Sequence, residues 1–417
     1  MGNYRTKVLF LITIIFILIF TGVSAAEEVE LEFWTINLSP RFDDYFKQMI
    51  DKYEADNPGI TITWKDVSFS SVRQKLLYNI AEGNSPDVVN LSTELAWPLI
   101  QEEIILPISD INSEYEDDYF AGIWEAGVFK DKAYAFPWYV STRILIYNKD
   151  IFMVSGLDPD SPPETVEELE EYAKIIKDKT GIYGFMPQIK LHHEFRKAGI
   201  PLFEGDKHME PGFSEKKAEE IVRWYYELNQ DGIIPEDTIS EGVNLALERY
   251  VDEELGMLLI GPQFLPRIKE KDSYIYEISE VAAIPLREEE VLSAGVMNLA
   301  IPSSSKNPEE AAAFAHFITG EEAQLLFAER ASVLPSVKAA VEVESIYNNK
   351  DELVKKAGQI SISQLEKAVD MTLTVPESDL LLKVMDEQFA RAFAGKITSE
   401  DAVKIMDEKW REILDKR

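Results

Sequence analysis

Between Val29 and Leu91 the chain reads strand, helix, strand, helix, strand, and this alternation narrows its architecture more than any other feature. Val29 to Phe33 alternates apolar and acidic residues, the two-residue period of a strand with one buried face. Trp34 and Thr35 follow at its end. Phe42, Tyr45, Phe46, Met49, Ile50 and Tyr53 then recur at helical spacing, and Asn57-Pro58-Gly59 stops the helix. Ile60 to Trp64 alternates again, Val72 to Ala81 is helical with Gly83 as C-cap, and Pro86 to Leu91 is a third strand. Glu94 to Glu102 reads as a further helix. Such an order builds an α/β layer around a mainly parallel sheet. Ligands of such sheets sit beyond the carboxyl ends of the strands, which nominates Trp34 to Asn37 and Ser92 to Glu94.

One unit of this kind does not use up 417 residues, and the length predicts two or three domains. After residue 150 the pattern starts again. Thr165 and Glu168 stand in the relation of a capping box ahead of a helix over Val166 to Lys177. Gly181 to Gln188 reads as a strand bent at Pro187, about 214–230 as a helix, and Leu255 to Ile260 as an apolar strand ending in Gly261-Pro262-Gln263. Val281 to Pro285 then leads back, Ala294 to Ile301 is a strand, and a helix starts at Asn307-Pro308 and ends at Gly320. The middle is therefore expected to be a second α/β unit inserted into the first. Residues 26–138 open lobe 1, 139–282 form lobe 2, 283–335 return to lobe 1, and 336–417 are C-terminal helices mainly on lobe 2.

The first 25 residues stand apart. Arg5 and Lys7 precede an apolar run from Val8 to Phe20, and Val23-Ser24-Ala25 fits a small-residue cleavage site. The run is short of the ~20 residues a spanning helix needs, so a secretory signal peptide is expected, with a retained anchor as the alternative. No cysteine occurs anywhere, which excludes disulfides, thiolate metal sites, cysteine nucleophiles and a lipoprotein anchor. A net charge of −33 repels nucleic acid and anionic membranes, so neither is an expected partner.

Catalytic signatures are missing. The histidines are His192, His193, His208 and His316, and the adjacent pair lacks the i, i+4 spacing of a helical zinc site. Neither a nucleophile elbow nor a phosphate-binding loop appears. Asp and Glu total 75, too many for a glycosidase pair to be read from the sequence, so an exported glycoside hydrolase stays as the enzyme alternative. No metal or cofactor is expected.

The segment from Phe136 to Phe152, F-P-W-Y-V-S-T-R-I-L-I-Y-N-K-D-I-F, joins the two units. Taken alone it also reads as an ordinary aromatic-rich strand. Its tail Tyr147-Asn148-Lys149-Asp150 resembles the crossing segment of extracellular solute-binding proteins, the family that includes periplasmic maltose-binding proteins. Further likenesses follow in order. Gly83 to Val88 resembles the family's G-x-x-P-D-V step, and Ala294 to Ile301 its G-G-x-x-L-A-I segment with alanine for the first glycine. Gly395 to Ala402 resembles its closing G-x-x-T-x-E-x-A element. The resemblance implies the two-lobe periplasmic-binding-protein type II fold, each lobe a mainly parallel sheet flanked by helices, with discontinuous lobes joined at a hinge. It also implies a soluble, extracytoplasmic monomer that passes a small ligand to the permease subunits of an ABC importer.

Matched segment by segment, the expected ligand-binding residues are Trp34, Asn37, Thr93, Glu94, Trp97, Trp138, Tyr139, Ser141, Gln188, Gly261, Gln263 and Gly295. Aromatic rings offer platforms to the C–H faces of sugars and polar neighbours take the hydroxyls, so a sugar or short oligosaccharide is the expected ligand. Core packing is the competing reading for each ring, Trp97 above all. Trp138 is expected as the principal platform, with Tyr139 pointing elsewhere if the strand is regular. Arg143 is expected either at the cleft or paired with an acid across the hinge. Pro262 and leucines near Leu382 stand where maltose-binding members resemble one another in carrying aromatics, which argues against an oligomaltose groove. The Ser141-Thr142 pair is similar to the glycerol-phosphate-binding branch, which keeps glycerol-3-phosphate or a related phosphodiester as an alternative ligand.

Overall fold

The computed structural model describes residues 28–416, apart from 112–114, 205–209, 214–215, 240–241, 288–289, 332 and 342–350. The expected signal peptide and His208 lie outside the described residues.

The principal elements follow the predicted alternation. β1 (Val29–Ile36), α1 (Asp43–Asp56), β2 (Ile60–Val67), α2 (Val72–Ala81), β3 (Val88–Ser92) and α3 (Thr93–Gln101) come first. β4 (Ala135–Ser141) joins the same sheet, and β5 (Ile144–Asn148) opens a second one. α4 (Val166–Thr180), β6 (Tyr183–Met186), α5 (Leu191–Lys197), α6 (Lys216–Gln230), β7 (Leu255–Ile260) and β8 (Ser279–Ala282) build around that second sheet. β9 (Leu292–Ala300), α7 (Pro308–Ile318), α8 (Glu321–Ala331) and β10 (Leu334–Pro335) return to the first. Then come α9 (Glu352–Ser363), β11 (Ala368–Asp370), α10 (Ser378–Phe393) and α11 (Ser399–Leu414).

The first sheet runs β10-β4-β9-β3-β1-β2, with β11 also on β9; the second runs β8-β5-β7-β6. Both are mixed rather than mainly parallel. β1 lies parallel to β2 and β3, but β9 is antiparallel to β3 and β4, and β5 is antiparallel to β7 and β8. The reason is the crossing itself. β4 leads out to the second sheet and β9 leads back from it, so neighbouring strands on that path run in opposite directions.

Each sheet has its own core. Phe33, Phe46, Trp138 and Phe314 pack on one face of the first sheet, and Trp34, Val89 and Leu99 on the other. Tyr147, Phe152, Phe185 and Phe195 pack on the second sheet together with Leu381, Phe389 and Trp410 from α10 and α11. Fully burying side chains of this size stabilises each lobe by about 1.5–3 kcal/mol apiece. α4 begins as its sequence predicts: Thr165 Oγ1 accepts from the Glu168 N–H at 3.1 Å, and Glu168 Oε2 accepts from the Thr165 N–H at 3.2 Å. Such caps contribute about 1 kcal/mol. Asn307 occupies the cap of α7, but its side chain makes no capping hydrogen bond.

The crossings differ in detail from the expected boundaries. β4 stays in the first sheet through Ser141, which pairs with Gly295, so the chain leaves at Thr142–Arg143 and not after residue 138. At the expected boundary after residue 335, Leu334–Pro335 pairs with β4 and the chain is still in the first sheet. A later passage runs from β11 on the first sheet to α10 in the second core. Gln364 bridges the first two passages: its Oε1 accepts from the Ile284 N–H at 3.1 Å, and its Nε2 donates to the Arg143 carbonyl at 3.5 Å. Among the described residues, no helix is long and apolar enough to cross a membrane.

Candidate functional site

A cleft opens between the two sheets. It comprises two cavities of about 430 and 310 Å³ that share Ser141, Lys190, His193, Ala294 and Gly295. A further groove of about 470 Å³ continues from Thr372 and Leu373 along Gly199 to Phe203.

The first-lobe wall is built where β3 gives way to α3. The Ser92 side chain caps α3 by accepting from the Leu95 N–H at 3.3 Å, which turns Thr93 and Glu94 toward the opening. Thr93 Oγ1 donates to Asp370 Oδ2 at 2.8 Å and accepts from Asn298 Nδ2 at 3.2 Å. Asp370 Oδ1 in turn accepts from the Thr372 N–H at 2.8 Å, so the carboxylate at the end of β11 is held from two sides. Trp97 lies one turn further along α3, 4% exposed, its edge on the cleft and its Nε1 donating to the Val375 carbonyl at 3.1 Å. Gly295 lies on β9 opposite Ser141, and a Cβ there would sit 3.0 Å from Ser141 Oγ.

The second-lobe wall comes from the segment between β6 and α5 and from the turn after β7. Gln188 and Lys190 belong to the former, His192 and His193 to the first turn of α5 that follows it, and Gly261 and Gln263 to the turn after β7. His193 Nδ1 lies 3.0 Å from Ser293 Oγ of β9, a contact from one lobe to the other. Burial pushes the His192 imidazole down to about 3, with Lys190 and Arg196 adding to the effect. His193 is pushed down to about 2 by burial, then by His192, Lys190, Arg143 and Arg196. Both rings are therefore neutral near pH 7 and offer one donor and one acceptor nitrogen each. Arg143 enters from the crossing and donates to the Gln188 carbonyl at 2.9 Å; burial holds its guanidinium below its ordinary value, against the pull of Glu194. Asp386 of α10 faces the same cleft, raised by burial and lowered by Lys190.

Of the residues expected from the sequence, Thr93, Glu94, Trp97, Ser141, Gln188, Gly261, Gln263 and Gly295 line this cleft. Trp34, Asn37, Trp138 and Tyr139 do not. Trp34 falls inside β1, which continues to Ile36, and is 3% exposed in the core beneath α2 and α3. Asn37 is exposed beyond the end of β1, where its N–H donates to the Val67 carbonyl at 3.0 Å. Trp138 is 0% exposed, packed on Phe33, Phe46 and Phe327. β4 carries a bulge at this point: Met297 pairs with Tyr139 and Asn298 with Pro137, leaving Trp138 as the extra residue. The bulge breaks the strand alternation, so Tyr139 also turns onto Phe327 instead of pointing elsewhere.

Lys190, His192, His193, Asp370 and Asp386 line the cleft without having been expected there. The carboxyl-end rule, applied to the strand at Gly181 to Gln188, reaches Gln188 and the four residues Ile189 to His192 beyond it. No comparable signal marks Asp370 or Asp386.

The sequence pattern of the bacterial extracellular solute-binding proteins matches residues 39–325. The chain belongs to that family. A solved structure from Synechococcus sp. MITs9220, provisionally assigned as an oligosaccharide periplasmic-binding protein, is similar to this solute-binding protein at 27% identity. It covers 93% of this chain and 99% of its own, with a TM-score of 0.81. The sugar-binding protein MalE of Xanthomonas citri superposes with a TM-score of 0.79 at 22% identity, over 93% and 98% of the two chains. The mannitol-binding protein of Pseudomonas aeruginosa is 22% identical over 383 residues, 84% of this chain and 86% of its own. Members of the family are substrate-binding proteins rather than enzymes; they bind small molecules and work with the permeases of ABC transporters. The two sheets of this solute-binding protein are thus the two lobes of the fold, and the space between them is where such a molecule has access to both.

Proposed function

We propose that this solute-binding protein captures a sugar or short oligosaccharide outside the cytoplasm and delivers it to an ABC importer. The carrying observation is the cleft, whose walls come from both lobes: Thr93, Glu94 and Trp97 on one side, Gln188, His193 and Gln263 on the other. Two neutral imidazoles, two amides and the carboxylates of Glu94, Asp370 and Asp386 suit a ligand with many hydroxyl groups, because each can donate to or accept from an alcohol. Trp97 supplies a single apolar edge, and Leu373 and Leu382 add aliphatic surface. The names of the Synechococcus and Pseudomonas relatives point to the same ligand class.

Ligand contact with both walls favours a closed arrangement, since only differential affinity shifts such an equilibrium. Thr142–Arg143, the segment after Ala282 and the segment after Asp370 are where closure would bend the chain. Native mass spectrometry of the protein as purified identifies any retained sugar. Small-angle scattering with and without that sugar then tests closure: the radius falls on saturation, and an unchanged radius refutes the mechanism. A turnover assay on the same sugar separates capture from hydrolysis.

A further inference from the structure

We infer that the carbohydrate is an acidic one, its anionic group seated against Arg143 and Lys190 and its neutral hydroxyls toward Thr93 and Glu94. This rests on the carbohydrate reading above and goes beyond it in assigning a charge and an orientation.

The cleft is electrically divided. The cavity of about 310 Å³ is lined by Arg143, Lys190, Gln188, Gln263 and His193 among others, and by no carboxylate. The adjoining cavity of about 430 Å³ holds Glu94, Asp370, Asp379 and Asp386, with Lys190 at the boundary. In a chain with 75 acidic and 42 basic residues, a chamber with two cations and no acid runs against the composition.

Neither cation is tied up in an ion pair, although Lys190 acts across the boundary on Asp386. Among the described residues, neither Arg143 nor Lys190 makes a salt bridge, whereas Lys174, Lys197, Arg249 and Arg411 all do. A guanidinium carries five N–H donors in a planar fork suited to an oxyanion, and the Arg143 side chain has one hydrogen bond, to a backbone carbonyl. The acid that acts on it electrostatically, Glu194, is held by Lys197 at 2.9 Å and lines, together with Arg143 and Gln188, a small recess behind His193, while the cavity of about 310 Å³ on the ligand side of Arg143 has no acid. Gln188 Nε2, beside Arg143, is buried without a partner. Unfilled buried donors cost free energy until something accepts from them. A carboxylate or phosphate oxygen on the ligand would do so, and the carboxylates of the neighbouring cavity would repel the same group, which fixes the ligand's direction.

The test is a set of equilibrium titrations at low and moderate salt. Galacturonate, digalacturonate and glucose 6-phosphate are each compared with a neutral counterpart: galactose, the dimethyl ester and glucose. The expected result is a preference for the anion of roughly 10- to 100-fold, the range of hydrogen bonds to charged groups, weakening as salt rises. Whether the uronates or the phosphate carry the preference identifies the anion. Arg143→Gln and, on the exposed side chain, Lys190→Gln each drive the anion-to-neutral ratio toward one. Neutral sugars binding as well as or better than their anions overturn the inference and leave the carbohydrate reading standing. A simple carboxylate such as citrate binding where no sugar does leaves the anion chamber standing and overturns the carbohydrate reading. Binding of nothing in the panel rejects both.

Discussion

The Trp138 indole stacks on the Phe327 ring at 5.1 Å and 20°, which anchors β4 to α8 inside the first lobe. Its neighbour Tyr139 reaches the same ring at 5.3 Å because the bulge in β4 puts two consecutive side chains over one partner. Trp138 is therefore a core residue at the edge of the crossing. Trp138→Ala is expected to destabilise the protein by ~3–5 kcal/mol, as for other large-to-small aromatic substitutions in cores. Urea unfolding measures the loss. Ligand affinity of the folded fraction should stay within a few-fold of the parent, and a large affinity loss without destabilisation would contradict this placement.

Gly295 is the reverse case. It is exposed on the cleft wall, and its backbone is not in the left-handed region, so a side chain there meets space meant for ligand and not strain. Only Ser141 Oγ, at 3.0 Å from the added Cβ, has to move. Gly295→Leu is expected to weaken binding at least about 100-fold, equivalent to ~2.7 kcal/mol, with a melting temperature close to the parent's. Titration calorimetry beside a thermal melt checks both parts.

Trp97 ties the first lobe to the last passage between the lobes through its bond to the Val375 carbonyl. Trp97→Phe keeps most of the ring surface on Phe129 and the cleft but leaves that buried carbonyl without its donor. The expected loss of stability is about 1–3 kcal/mol, the cost of an unsatisfied buried group. Hydrogen exchange at the amides of 371–377 should speed up, and unchanged exchange there would show that the bond does not hold the segment.

His192 and His193 make stability depend on pH in a defined direction. Their folded values, about 3 and about 2, lie below the unfolded value of ~6.5, so the unfolded chain takes up protons that the folded one does not. Stability is therefore complete above ~6.5 and declines as pH falls below it, by up to ~1.4 kcal/mol per pH unit for each ring. Measured between about pH 5 and 6.5, above the ordinary carboxylate range, urea unfolding should show this slope. His192→Asn should remove one ring's share. An unaltered slope in the variant would show that the ring is protonated in the folded protein.

Much of the fold could be read from local patterns. The alternation from Val29 to Leu91, the Thr165 capping box and the apolar run at Leu255 to Ile260 each specify an element through contacts within a few residues. The carboxyl-end rule found Thr93 and Glu94 because the position of a strand's end needs no knowledge of its neighbours. Gln188 came instead from likeness to the family's segments, and the rule erred at Trp34, since β1 runs on to Ile36 along the full length of β2.

What the sequence by itself determined is which segments become strands and helices, because period and capping act over one or two turns. Tertiary structure alone decided which face of each element meets the core and which meets the cleft. An alternating strand has two equivalent faces, and only packing tells them apart: Trp138 was drawn inward by Phe33, Phe46 and Phe327, which lie far from it in the chain. The bulge at Trp138 arises from pairing with β9, more than 150 residues later, and no local signal announces it. The charge division of the cleft has the same origin. Arg143, Lys190 and Asp370 meet there because two sheets face each other, and burial, unlike composition, is a property of the assembled chain.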